Sequence, residues 1–143
     1  MLQRIGMTPL ALWLMFPLLA AAELDRGDLE FFEKKIRPVL VEHCYECHSS
    51  VARESKKLKG GLLLDTRNGL RAGGESGLAI VPGQPGKSLL MTALRGNGDA
   101  VVMPPKGKLS DTVIADFEKW IQSGAPDPRD EVAASTTTDF MEL

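Results

Sequence analysis

The chain of 143 residues has two cysteines and two histidines, and three of these four fall in one run, Cys44-Tyr45-Glu46-Cys47-His48. C-x-x-C-H is the attachment pattern of a c-type haem. Each thiol adds across one haem vinyl group, sulfur to one carbon and hydrogen to the other, to give a thioether. Two intervening residues let both sulfurs reach neighbouring vinyls from one turn of backbone. The histidine that follows is carried under the ring, where its imidazole can bind iron. A chain that carries such a plate must fold around it.

Other readings of the same residues fit less of the sequence. A disulfide or thioredoxin-like pair also uses C-x-x-C, but it gives His48 no role, and the chain lacks the βαβ pattern of such folds. A structural zinc needs four ligands. Only His43 remains to complete the set, and it adjoins Cys44, so it reads as a surface or packing residue.

The N-terminus points to export. Arg4, an apolar run from Leu10 to Leu19 and Ala20-Ala21-Ala22 read as a secretory signal peptide over residues 1–22, with Glu23 as the mature start. The run is shorter than the ~20 apolar residues of a spanning helix, so no integral span is expected in the mature chain. Haem c is attached outside the cytoplasm, so a periplasmic or cell-envelope location agrees with the motif. Residues 23–128 read as one haem domain and residues 129–143, rich in Ala, Ser and Thr, as a flexible tail or the start of a linker. A domain this small has little core of its own, and an apolar plate would enlarge it. With 17 basic and 19 acidic residues, interspersed, nothing suggests a nucleic-acid partner.

The elements read as helices and loops. Leu29, Phe32, Ile36 and Leu40 share one helical face, with Asp28 as the expected N-cap and a kink or break expected near Arg37 because of Pro38. Ser49 to Gly61 reads as a lysine-rich loop. Asp65 is the expected cap of a short turn of helix ending at Gly73-Gly74. Ser88 is the expected cap of a helix from Leu89 to Arg95 closed by Gly96. Ser110 caps the final helix, whose apolar face is Val113, Ile114, Phe117, Trp120 and Ile121, with Gly124 as its stop. Gly83 to Ser88 ends in G-K-S like a phosphate loop, but Val81 stands where that motif needs glycine; the segment reads as a turn.

Iron with one histidine has a second axial site. Met91 lies on an apolar helical face, where methionine is a core filler, and Met141 is in the tail. Met103 sits in the non-helical run Val101-Val102-Met103-Pro104-Pro105-Lys106-Gly107, stiffened by two prolines, and is the expected donor. Arg53, Arg71 and Trp120 have suitable donors for haem propionates. Lys106 and Lys108 flank the Met103 loop, as steering charges for an acidic partner or as plain solvated lysines.

These segments together resemble the planctomycete-type cytochrome c domain, a relative of small class I cytochromes c. The resemblance runs from about Phe31 to Pro128. It rests on Phe31 to Leu40, Cys44 to His48, Lys59-Gly60-Gly61-Leu62 with Leu64-Asp65, and Gly73-Gly74 to Pro85, then Met103 to Ser110 and Trp120 to Pro126. It implies an all-α, cytochrome c-like helical fold with long loops around one covalently bound haem. His48 and Met103 would be axial ligands, and the first and last helices would cross near the haem. The domain usually opens a much longer protein, so a stand-alone carrier and a piece of a longer chain both remain open.

The function expected is one-electron transfer by an exported mono-haem domain, an electron carrier rather than a catalyst, working with a redox partner protein or an adjacent redox domain. If Met103 bound weakly, the open site would suit ligand sensing or peroxide chemistry. If the tail were a linker, the domain would feed electrons to an enzyme.

Overall fold

Trp120 lies at the centre of the packing, fully buried, with the Phe32 ring 5.7 Å from it at 41° and the Phe117 ring edge-on at 6.1 Å. These contacts join the two ends of the domain. The computed structural model describes residues 25–98 and 100–129. The signal segment and the tail beyond Arg129 lie outside the described residues. Within them the structure is helical, with a single isolated bridge between Gly74 and Gly77.

The first helical run has three parts: α1 (Arg26–Phe31), a π-turn (Phe32–Ile36) and α2 (Arg37–His43). Its N-cap is Asp25, whose carboxylate accepts from the Gly27 amide at 3.2 Å; the expected cap, Asp28, instead lies in the first turn, where its charge suits the helix dipole. The expected kink takes the form of the π-turn. Pro38 has no N–H to give the Lys34 carbonyl, and its ring crowds that turn. The hydrogen bonds slip to i→i−5, with the Arg37 amide donating to the Phe32 carbonyl, and the helix continues without breaking. Phe32, Ile36 and Leu40 stay on one buried face.

Short elements follow. Ser49 caps α3 (Ser50–Glu54), within the segment read as a loop; its hydroxyl accepts from Ala52 N and donates to the Tyr45 carbonyl. Thr66, not Asp65, caps α4 (Arg67–Ala72), while Asp65 accepts from the Ser50 amide at 2.7 Å. Pro85–Lys87 forms a 3₁₀ turn rather than a phosphate loop. Ser88 precedes α5 (Leu89–Arg95), but its hydroxyl braces that turn, accepting from Val81 N and donating to the Gln84 carbonyl, and caps no helix amide. Gly96 closes α5 in the left-handed conformation.

The final helix, α6 (Asp111–Gln122), is capped by Ser110 and buries Ile114, Phe117, Trp120 and Ile121 against α5 and the π-turn. The chain then turns back so that the Trp120 indole N–H donates to the Pro126 carbonyl at 2.9 Å. The Trp120 donor, suitable by type for a propionate, is therefore already taken. Arg129, assigned from sequence to the tail, also belongs to the fold: its side chain is only 8 % exposed and pairs with fully buried Asp127.

Trp120→Phe should leave the buried Pro126 carbonyl unpaired and a gap beside Phe32, lowering stability by about 2–4 kcal/mol. A reduced denaturant midpoint at unchanged slope would show it.

Candidate functional site

The end of α2 makes the C-x-x-C-H geometry. The Cys44 and Tyr45 amides both donate to the Leu40 carbonyl at 3.0 Å, and the Cys44 carbonyl accepts from Cys47 N at 3.1 Å and His48 N at 2.9 Å. The motif is thus two tight turns on the helix end, and it places all three side chains on one cavity. The loop beyond is tied back by Lys59 N to the Cys47 carbonyl and Leu64 N to the His48 carbonyl, at 3.0 and 2.8 Å.

That cavity measures about 860 Å³, and Cys44, Cys47, His48 and Met103 all line it. Its walls are mainly apolar, with Leu62, Leu64, Ala79, Leu90, Leu94 and Pro104 contributing. Its size lies toward the upper end of the ~300–1,000 Å³ usual for ligand pockets. The Met103 loop is pinned to α5 by the Met103 amide, which donates to the Ala93 carbonyl at 3.0 Å. Met91 is buried in the core and is not among the lining residues, and Met141 lies outside the described residues. Neither Arg53 nor Arg71 lines the cavity; Lys59, Lys106 and His43 do.

One wall depends on glycine. A side chain on Gly74 would put its Cβ 2.4 Å from the Gly60 carbonyl oxygen, and one on Gly73, which has φ +77°, would meet the Gly77 carbonyl at 2.2 Å. Only bare backbone lets the 73–77 turn close onto Gly60 and Leu62.

Electrostatics favour the neutral forms of the buried donors. Burial pushes the Cys44 thiol up to about 11. Burial also holds His48 below its ordinary value, an effect offset in part by the nearby Leu62 and Lys59 carbonyls, so its ring is a neutral potential ligand at neutral pH. Its Nδ1 is buried and has no hydrogen-bond partner. At the mouth, Lys106 Nζ meets Glu46 at 2.7 Å, which lowers the Glu46 pKa and raises that of Lys106. Lys108 Nζ lies 3.3 Å from Asp111. Both pairs are solvent-exposed.

Residues 44–107 match the planctomycete cytochrome C family, the segment that runs from the first cysteine through the Met103 loop. The chain carries a planctomycete-type cytochrome c domain. No curated protein and no solved structure matches the chain. A cytochrome c domain binds haem c and carries electrons, and its all-α fold agrees with the helices seen here. The residues present fit that cofactor: two thiols, an imidazole with a buried, unpartnered Nδ1 and a thioether line one apolar cavity of suitable size.

The four side chains singled out from sequence line this one cavity, but sequence reasoning missed much of its support: α3, the Glu46–Lys106 pair and the attachment of Arg129. Of these only α3 had a local signal, the serine cap.

Two outcomes follow. Gly74→Ala should lower stability by about 2–3 kcal/mol, read by thermal unfolding, because backbone must move to admit the methyl. With Cys44 as a free thiol, its contribution to stability should be flat below pH 9. It should then fall between about 9 and 11, because the unfolded thiol (ordinary value 9.0) loses its proton before the folded one. Denaturant titrations across that window should show a steeper fall in the thiol form than in Cys44→Ala, where Tyr45, also raised by burial, still contributes.

Proposed function

We propose that this chain is an exported, mono-haem c-type cytochrome domain that transfers single electrons, with Cys44 and Cys47 attached to the haem and His48 and Met103 as its axial ligands. The observation that carries this reading is the meeting of these four side chains on one apolar cavity. A haem bound there supplies a one-electron iron couple.

The chain's own residues do the rest. Cys44 and Cys47, at the end of α2, would hold the cofactor through thioethers. His48 presents a neutral imidazole, and Met103 presents its sulfur from a loop held to α5. The apolar walls keep water from the centre, which limits reorganisation when charge changes. With His48 and Met103 both holding the iron, a bound haem would leave no place for a substrate, and the role would be carriage rather than catalysis.

Export rests on the Arg4 start, the apolar run and the three alanines before Glu23. No helix among the described residues is long and apolar enough to cross a membrane. The redox partner, a separate protein or an adjacent domain, approaches the cavity mouth. Lys106 and Lys108 each face a carboxylate, Glu46 and Asp111, so the steering field at that mouth is weak. Reduction rates should accordingly vary little with ionic strength.

The test is production with export in a host that matures c-type haems. The mature protein should begin at Glu23 and carry one haem that resists acid–organic extraction, and Cys44→Ala with Cys47→Ala should abolish attachment. The ferric protein should show a methionine-to-iron absorption band, absent in Met103→Ala. Persistence of that band in the variant, or rapid carbon monoxide binding by the reduced unsubstituted protein, would overturn the His48/Met103 assignment. Absence of covalent haem would overturn the whole reading.

A further inference from the structure

Arg129 lies outside the residues that match the family and follows the last residue of the domain as read from sequence. Its guanidinium nevertheless makes polar contacts to three residues, Asp127, Tyr45 and Leu64. On one side, Nε donates to Asp127 Oδ1 at 2.8 Å and Oδ2 at 3.1 Å. On the other, Nη1 donates to the Tyr45 hydroxyl at 2.7 Å and to the Leu64 carbonyl at 2.6 Å. The guanidinium carbon Cζ lies over the Phe32 ring, 5.1 Å from its centroid. Burial works against the charge, but Asp127 and Tyr45 outweigh it and hold the guanidinium protonated.

Both targets of Nη1 belong to the frame of the ligating motif. Tyr45 stands between Cys44 and Cys47. Leu64 donates its amide to the His48 carbonyl at 2.8 Å, so a group that fixes Leu64 also fixes the backbone carrying the imidazole. We propose that Arg129 is a positioning residue for the haem-attachment loop, holding Tyr45 and Leu64 from the C-terminal turn and, through Leu64, setting the His48 backbone. This rests on the haem reading above.

Stability alone gives little reason for this arrangement. A buried ion pair loses much of its attraction to desolvation, and apolar replacements are often as stable. A planar fork, by contrast, can serve acceptors on two sides while stacking on an aromatic ring, which an ammonium cannot do.

The experiment compares the haem-loaded full chain with Arg129→Gln, Arg129→Lys and Tyr45→Phe. Leu70→Ala serves as a destabilised control, since Leu70 is buried in α4 and does not line the cavity. Leu64 amide exchange is measured by NMR, alongside reduction potential and the ferric methionine band. Both Arg129 variants should accelerate Leu64 exchange by about tenfold beyond what their global stability loss accounts for. They should also shift the potential and weaken the band. Tyr45→Phe, which keeps the ring, should move the same readouts by less, and it decides the matter if the Arg129 variants fail to fold. Leu70→Ala should leave potential and band unchanged. Leu64 exchange that tracks global stability, with an unaltered potential and band, would overturn the proposal. If the unsubstituted chain carries no covalent haem, the haem reading fails, and Leu64 exchange alone still decides whether Arg129 holds the loop.

Discussion

The packing of Trp120 on Phe32 is the contact on which the rest of the structure depends. It joins the last helix to the first helical run, and everything between them is short helices and turns with little capacity to hold shape alone. Phe32 lies in the π-turn, three turns of chain before Cys44, so fixing it fixes the direction from which α2 delivers the cysteines. The indole N–H serves the same end, since its bond to the Pro126 carbonyl turns the chain back toward α2 and brings Asp127 and Arg129 into the fold.

The cavity draws its walls from other residues than the rings of that crossing. α5 contributes Leu90 and Leu94, the extended 62–64 segment contributes Leu62 and Leu64, and the glycine turn closes onto Gly60. None of these walls is formed by the aromatic cluster. The protein thus separates its two tasks: aromatic packing holds the helices, while aliphatic groups and bare backbone shape a space for a flat, apolar cofactor. A domain of about a hundred residues buries a modest core, and a haem in this space would complete the second half of it.

Charge is arranged in two ways that differ in consequence. Glu46–Lys106 and Lys108–Asp111 are exposed pairs of the kind that add little stability. They also pair the two lysines that sequence offered either as steering charges or as plain solvated ones. Arg129–Asp127 is buried, with its remaining donors directed at Tyr45 and Leu64. The buried pair can transmit a constraint, because its groups have little water to exchange with.

The sequence by itself determined which cavity-lining donors lie side by side and where the main helices form. Cys44, Cys47 and His48 are contiguous, so local backbone geometry places them together whatever surrounds them. The faces of the first run and of α6 follow from helical periodicity, and Met103 stood out because two prolines follow it. Tertiary structure decided what depends on groups far apart in the chain. Thr66 rather than Asp65 caps α4 because Ser50, fifteen residues earlier, claims the Asp65 carboxylate. Trp120, a potential propionate donor by composition, is turned inward by a carbonyl six residues on. Met91 faces the core and Met103 the cavity, although both are methionines in apolar surroundings. Arg129 reads as the first residue of a polar tail, yet it is bound to partners 65 and 84 residues away. Periodicity and motifs report what neighbours in the chain impose, whereas the partner of a buried polar group is set by the folded core, which alone brings distant donors and acceptors within hydrogen-bonding reach.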